Sequence, residues 1–134
     1  MRKDSLKLNN YPMPNVFLIS VVDDDESLRE SLEGLLKSLG YDTAVFSMAE
    51  SFLSSEALAN AACLILDVRM PGMSGPELQR ELISRQRNIP IIFITAHSDE
   101  DVITRVMADG AVDCLLKPFS EDSLLNAISR ALSG

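Results

Sequence analysis

The segment VFLISVVDDDESLRESLEGLLKSLG, residues 16–40, joins a strand pattern directly to a helix pattern. Its first seven residues are apolar apart from Ser20, as expected of a parallel strand covered on both faces. Three aspartates and a glutamate follow, and like charges this close repel one another. The helix pattern ends at Gly40 and consists of Leu28, Leu32, Leu35, Leu36 and Leu39. The segment therefore predicts a strand, an acidic loop and an amphipathic helix.

Strand and helix patterns alternate five times along the chain. The second apolar segment is mixed in polarity, so we expect it at an edge of the sheet. The alternation predicts an α/β fold, a flavodoxin-like (βα)5 three-layer sandwich around a parallel five-stranded sheet of order 2-1-3-4-5. The segments that predict strands are residues 16–22, 41–46, 62–67, 91–95 and 113–117.

Local signals mark where the remaining helices begin and end. Ser47 with Glu50 resembles a capping box that opens a short second helix. Pro76 suits the first turn of the third helix, Gly110 closes the fourth, and Ser120 opens the fifth. The apolar faces of these last three helices consist of Leu78 and Leu82, then Val102, Ile103, Val106 and Met107, then Leu124, Leu125, Ile128 and Leu132.

The composition describes one folded domain with an acidic surface. The 134 residues suffice for a single substantial core, and 46% of them are hydrophobic. Residues 1–15 are predicted to be a flexible N-terminal leader without a signal peptide or anchor, and residues 16–133 the domain. The net charge is −8, and because the leader carries +2 the rest carries −10. We expect a cytoplasmic protein that makes no membrane contact and does not bind nucleic acid directly.

The two cysteines, Cys63 and Cys114, both lie in apolar segments. Neither has a second cysteine two to four residues away, as zinc motifs require. The sequence therefore predicts two buried free thiols.

The chemically distinctive side chains lie at the carboxyl ends of the predicted strands. Asp23 and Asp24 follow strand 1, Asp67 ends strand 3, Thr95 ends strand 4 and Lys117 ends strand 5. In parallel sheets the working groups lie beyond these ends, where the strand order reverses. Strands 1 and 3 are neighbours in the predicted order, so we expect the acidic pair beside Asp67. Adjacent strands are about 4.8 Å apart, so Thr95 can reach a group on Asp67, and Lys117 can reach it with its long stem.

Three carboxylates in one concavity repel unless a cation neutralises them or some take up protons. An all-oxygen donor set, in a chain with one histidine, favours a hard ion such as Mg²⁺. A phosphate-binding loop is a poor fit, because no glycine occurs between Asp23 and Gly34 and the aspartates would repel a nucleotide. The acidic loop therefore predicts a metal site.

Four motifs in order resemble the receiver domain of two-component response regulators, over roughly residues 16–133. They are VVDDDES (21–27), LILDVRMPGMSG (64–75), ITAH (94–97) and LLKPF (115–119). The residues of these motifs most resemble those of receivers that usually precede a LuxR-type helix-turn-helix output domain. No output domain follows Gly134, so the resemblance predicts either a stand-alone regulator or a fragment of a longer transcription factor.

The resemblance implies a phosphoacceptor switch rather than an enzyme that turns over a substrate. Asp67 would accept a phosphoryl group from the phosphohistidine of a cognate sensor histidine kinase. Asp24 would hold Mg²⁺ directly and Asp23 directly or through water, joined by the backbone carbonyl of Arg69. The domain would also dephosphorylate itself and would control an output domain or partner.

Two further residues complete the implied site. Lys117 would neutralise one phosphoryl oxygen, and Thr95 would donate a hydrogen bond to another and so sense the modification. The resemblance also puts Arg69 and His97 beside the route of the hydrolytic water, where two large side chains would shield the phosphoryl group.

Other polar residues near these motifs have simpler interpretations. Asp25 is expected to cap the first helix, because the implied site needs only two acids there. His97 lacks a serine or cysteine nucleophile and is expected in a surface loop. Arg69, Gly72 and Gly75 are expected to shape the loop after Asp67.

The sequence departs from the family at Cys114, where receivers usually have tyrosine or phenylalanine three residues before the lysine. That aromatic ring turns inward as the threonine moves toward the phosphate. A thiol is much smaller than a ring, so we expect less remodelling of the surface formed by the fourth helix, the fifth strand and the fifth helix. The expected state is a monomer or a weak homodimer.

Two other classes of protein share some of these features. A small metal-dependent phosphohydrolase of the haloacid dehalogenase type also uses an aspartate nucleophile and Mg²⁺. Its signature has a second aspartate two residues after the nucleophile, where this chain has Arg69. A flavin carrier of the same topology would bind its phosphate where this chain has the acidic loop.

Overall fold

The computed structural model describes residues 16–133, so the predicted leader lies outside the described residues. Five parallel strands form one sheet in the order β2-β1-β3-β4-β5, which confirms the predicted topology. The strands are β1 (Leu18–Val22), β2 (Asp42–Phe46), β3 (Ala61–Asp67), β4 (Ile91–Thr95) and β5 (Asp113–Leu116). The helices are α1 (Glu26–Ser38), α2 (Ala49–Leu53), α3 (Ala57–Asn60), α4 (Gly75–Ser84), α5 (Glu100–Ala108) and α6 (Glu121–Ser133).

Helices cover both faces of the sheet, and alternate strand residues belong to two separate cores. Ile19 and Val21 of β1 pack in one cluster with residues of α1 and α6. Val22 packs in the other with residues of α2 and α4. This double burial explains why the strands are continuously apolar. The edge strand β2 is only half-buried, as expected from its mixed sequence.

The described helices between residues 16 and 133 do not include one that is both long enough and apolar enough to cross a membrane. The longest of them, α1 and α6, are amphipathic and each pack one face on the sheet.

Two of the predicted helix starts are confirmed by capping hydrogen bonds. The carboxylate of Asp25 accepts from the backbone N–H of Leu28 at 3.2 Å, so it is the N-cap of α1. The hydroxyl of Ser120 accepts from the N–H of Ser123 at 3.0 Å at the start of α6. Both bonds satisfy donors that the first helical turn leaves free.

The prediction of a capping box at Ser47 and Glu50 is wrong. The N-cap of α2 is Met48, which makes no side-chain cap bond. The carboxylate of Glu50 instead accepts from the backbone N–H of Met73, which is distant in sequence. The predicted second helix is also divided, into the short helices α2 and α3.

A capping box does occur at the start of α4. The Ser74 hydroxyl accepts from the N–H of Glu77, and the Glu77 carboxylate accepts from the N–H of Ser74. These two hydrogen bonds lower the pKa of Glu77. Pro76 lies in the first turn, as predicted.

Left-handed residues end three helices, and one of them is not glycine. Gly40 and Gly110 have φ of 93° and 106° after α1 and α5, as predicted. After α4 the corresponding residue is Gln86, with φ of 58°, whose N–H donates to the Ile83 carbonyl. A side chain in this conformation is strained, because its Cβ approaches the backbone.

Replacing Gln86 with glycine should therefore stabilise the domain. Relief of the left-handed strain exceeds the extra backbone entropy of glycine, for a net gain of about 0.5–1 kcal/mol. Urea denaturation checks this through a higher midpoint with an unchanged slope. A midpoint at or below that of the wild type would show that Gln86 is not strained.

Candidate functional site

The carboxyl ends of β1, β3 and β5 bring four charged side chains together. Carboxylate oxygens of Asp23, Asp24 and Asp67 all lie within 4.8 Å of one another. The Nζ of Lys117 is 2.8 Å from Oδ2 of Asp23 and 3.5 Å from Oδ1 of Asp67. The acidic pair therefore lies beside Asp67, as expected from the strand order, because β1 and β3 are neighbours in the sheet.

The site contains three close carboxylates and one ammonium group, and two of the carboxylates are buried. Asp23 is fully buried and Asp67 is 5% exposed. Burial raises the pKa of Asp67 to about 6, the charge of Asp23 adds to the effect, and Lys117 opposes it. Burial by itself lowers the pKa of Lys117, but its hydrogen bond to Asp23 and the charge of Asp67 outweigh this and raise it. The cluster therefore favours bound cations.

Asp23 is held in place by its neighbours in the chain. Its Oδ1 accepts from the backbone N–H of Asp25 at 2.8 Å. The guanidinium of Arg29, on α1, donates to the carbonyl of Asp23 at 2.8 Å. One carboxylate oxygen thus orders the acidic loop while the other faces Lys117.

Thr95 is buried at the end of β4, but its hydroxyl faces the following loop. It accepts from the backbone N–H of His97 at 3.1 Å and makes a longer contact of 3.4 Å with the His97 carbonyl. Among the described residues, the hydrogen bonds of the Thr95 hydroxyl do not include Asp67 or Lys117, although the backbone carbonyl of Thr95 accepts from the backbone N–H of Lys117 at 2.7 Å. His97 itself is exposed in that loop, as predicted.

Arg69, in the loop after β3, pairs with a residue at the start of α5. Its guanidinium lies 3.5 Å from the carboxylate of Asp99, the N-cap of α5, and its side chain is 57% exposed. An exposed ion pair of this kind contributes little to stability. The ion pair therefore holds the Arg69 side chain only weakly.

The loop after Asp67 depends on two glycines, as the sequence predicted. A Cβ on Gly75 would collide with the backbone carbonyl of Asp67 and approach Phe93 to 3.1 Å. Gly72 has φ of 76°, and a Cβ there would be 2.9 Å from Oε2 of Glu50. Sequence reasoning missed Glu50 as part of this region, because no local pattern relates it to a loop more than twenty residues later.

The two cysteines differ in exposure. Cys63 is fully buried, as predicted, and burial raises its pKa to about 12. The prediction that Cys114 is buried is wrong: it is only half-buried, because β5 is an edge strand, where Cys114 pairs in register with Phe93. Burial and the charge of Asp113 raise its pKa. Both thiols are therefore poor nucleophiles at neutral pH.

The donor set suits a hard divalent cation. Three carboxylates supply oxygens within a span that one ion could bridge, and the fully buried Asp23 needs a positive partner. In the structure that partner is the ammonium of Lys117. The chemistry of the residues present therefore fits an oxygen-ligated metal such as Mg²⁺.

The raised pKa of Asp67 predicts a pH dependence of stability in the absence of metal. The unfolded carboxyl ionises near its ordinary pKa of 3.8, whereas the folded one ionises at about 6. The folded state therefore loses stability as the pH rises from about 4 to 6 and carries the full penalty above that.

Asp67→Asn should remove this penalty, which is about 2 kcal/mol after allowing for partial solvation. Urea denaturation in chelator should show the variant more stable than wild type at pH 7.5, with the difference reduced to about half or less at pH 4.5. An equal difference at both pH values would contradict the assignment to Asp67.

Fold and site together define a class: a flavodoxin-like α/β domain with a cluster of three carboxylates and a lysine at the carboxyl edge of its sheet. The family model of the response regulator receiver domain matches residues 19–129. The chain belongs to this family, which forms the receiver modules of two-component signalling systems.

Known proteins agree with this assignment. The chain is 44% identical over 115 residues to the response regulator protein TmoT of Ectopseudomonas mendocina, covering 86% of this chain and 52% of TmoT. It is similar to the structure of the response regulator StyR, with 46% identity, a TM-score of 0.83 and coverage of 89% and 60%. The crystal structure of FixJ-N matches with 38% identity, a TM-score of 0.80 and coverage of 90% and 96%. The chain spans about half the length of the curated relatives it matches.

Proposed function

We propose that this chain is a phosphorylation switch whose acceptor is Asp67. The observation that carries the proposal is the buried carboxylate of Asp67 at the end of β3, with Lys117 at 3.5 Å and two further carboxylates within 4.8 Å. An aspartate in this setting lies beside two further carboxylates and one ammonium group. Phosphoryl transfer needs mainly such positioning and charge stabilisation.

In the proposed transfer, an Asp67 oxygen forms a bond to phosphorus as the bond from phosphorus to a kinase histidine nitrogen breaks. Lys117 then neutralises one phosphoryl oxygen from its position beside the acceptor. The long contact of 3.4 Å between the Thr95 hydroxyl and the His97 carbonyl leaves the Thr95 proton available to another phosphoryl oxygen. Mg²⁺ bound by Asp23, Asp24, Asp67 and the backbone carbonyl of Arg69 would offset the charge on the phosphoryl group.

A groove beside the site is suited to the kinase. It lies between α1 and α6, has a volume of about 570 Å³, and includes Lys117 and Asp25 together with apolar residues such as Leu28 and Phe119. A protein that brings a phosphohistidine to Asp67 must cover the surface next to it. This apolar strip offers such contact, so we place the sensor histidine kinase there.

The remaining features of the protein belong to the same proposal. Curated relatives longer than this chain include transcriptional regulatory proteins, among them FixJ of Bradyrhizobium diazoefficiens, 56% of which is covered by the match. We infer that this domain controls an output function of that kind, from the cytoplasm. With Cys114 in place of an aromatic ring, the domain is expected to remain a monomer or a weak dimer.

Intact-protein mass spectrometry with acetyl phosphate tests the proposal. We expect one phosphoryl group per chain in Mg²⁺ and none in chelator. The rival phosphohydrolase would instead turn over a stable monoester such as p-nitrophenyl phosphate many times without retaining the label. Sustained turnover of that substrate would replace our proposal with the hydrolase.

The large side chains of Arg69 and His97 should lengthen the life of the phosphorylated state. Both residues lie in the loops that follow Asp67 and Thr95. Replacing either with alanine would widen the path by which water reaches the phosphoryl group. We therefore expect Arg69→Ala and His97→Ala to lose the phosphoryl group several-fold faster, measured by mass spectrometry after removal of acetyl phosphate. An unchanged rate in both variants would show that neither shields the group.

A further inference from the structure

Glu50 links α2 to the loop that follows the acceptor strand. Its Oε2 accepts a hydrogen bond from the backbone N–H of Met73 at 3.2 Å, across 23 residues of sequence. The Glu50 carboxylate does not cap α2, because the N-cap of that helix is Met48 and the cap has no side-chain hydrogen bond. It is therefore committed to a distant segment of the chain.

That segment is the loop between β3 and α4, and the backbone hydrogen bonds described for it lie at its two ends. The N–H of Val68 donates to the Ile94 carbonyl, and the N–H of Gly75 donates to the Val68 carbonyl, both at 3.0 Å. Within the part of the chain that the structure describes, the hydrogen bond that the Met73 N–H donates to Glu50 is the one that involves backbone groups of residues 69–73. Apolar packing of Met70 also holds this stretch, but packing is less directional.

Gly72 shows that the loop is shaped to admit the carboxylate. Its φ of 76° suits glycine, and a Cβ there would lie 2.9 Å from Oε2 of Glu50. The side chain approaches from α2, and the backbone leaves room for it at the adjacent residue. Both the side chain of Glu50 and the backbone shape at Gly72 therefore contribute to this contact.

We propose that Glu50 is a positioning residue for the metal site. It fixes residues 69–73 through the N–H of Met73 and would thereby hold the backbone carbonyl of Arg69 in a position to bind the metal. The inference rests on the proposed function, because it takes that carbonyl as a ligand. Groups that orient metal ligands from behind often matter for affinity nearly as much as the ligands do.

Mg²⁺ titration followed by two-dimensional NMR tests this role without phosphorylation. Glu50→Ala should weaken Mg²⁺ binding about tenfold, the lower end of what such supporting groups contribute. Glu50→Gln keeps an oxygen that can accept from Met73 and should bind close to wild type. Glu56→Ala removes a nearby exposed carboxylate that makes no cap bond and should also bind like wild type.

Gly72→Ala provides a second variant, because its Cβ would displace the Glu50 carboxylate. It should weaken Mg²⁺ binding in the wild type and add little in the Glu50→Ala background. Non-additivity of this kind is expected only of residues that act through one contact.

The outcomes separate the inference from the proposed function. If Glu50→Ala lowers the melting temperature but leaves Mg²⁺ affinity unchanged, Glu50 is merely structural and the inference is wrong. The same follows if Glu50→Gln is as damaging as Glu50→Ala. A wild type that binds Mg²⁺ but never accepts a phosphoryl group defeats the proposed function alone, and one that does not bind Mg²⁺ defeats both.

Discussion

Asp67→Ala is expected to abolish phosphorylation of this domain. The variant lacks the oxygen that would bond to phosphorus, and Asp23 and Asp24 cannot replace it. Asp23 is fully buried and held by Lys117 and the Asp25 N–H, while Asp24, exposed after β1, would serve as a metal ligand in the proposed site. Intact-protein mass spectrometry after acetyl phosphate treatment should therefore show no labelled Asp67→Ala protein.

Asp25→Ala is the matched control within the same acidic run. Asp25 caps α1 and is not part of the cluster around Asp67. Its replacement should cost about 1 kcal/mol of stability and leave labelling intact. Equal labelling of the Asp67→Ala variant would remove Asp67 as the acceptor.

Gly75→Ala is expected to destabilise the domain strongly, by about 3 kcal/mol or more. The added Cβ would collide with the backbone carbonyl of Asp67 and press on the buried ring of Phe93. Neither group can move without distorting β3 or β4. Urea denaturation measures the loss, and phosphorylation should fall with it because Asp67 itself must shift.

Gly34→Ala is the control for this glycine. Gly34 lies inside α1, and a Cβ there would meet nothing within 4 Å. Alanine should therefore stabilise the helix by about 0.5–1 kcal/mol. A small effect of Gly75→Ala, comparable in size to that of Gly34→Ala, would show that the approach to Asp67 is not tight.

The sequence predicted the features that depend on local pattern. The capping hydrogen bonds of Asp25 and Ser120 join residues that are three apart in sequence. The ends of α1 and α5 each depend on one glycine with a positive φ. The proximity of Asp23 and Asp67 also followed, since a parallel sheet brings equivalent strand ends to one edge.

Contacts between distant segments could not be predicted in the same way. Glu50 fits a helix-start pattern with Ser47, yet its carboxylate bonds to Met73, because the loop after β3 passes beside α2 in the folded chain. The direction of the Thr95 hydroxyl toward His97 is likewise set by the turn after β4 rather than by residue type. Such choices depend on packing, which a single sequence does not display.

Chemical trapping of the acyl phosphate tests the central claim most directly. Wild-type protein treated with acetyl phosphate and Mg²⁺ would be reduced with borohydride, digested, and sequenced by mass spectrometry. Reduction converts a phosphorylated aspartate to homoserine and so marks the residue that carried the group. The account predicts homoserine at position 67 only, dependent on Mg²⁺. Homoserine at position 23 or 24, or at no position in a labelled protein, would contradict it.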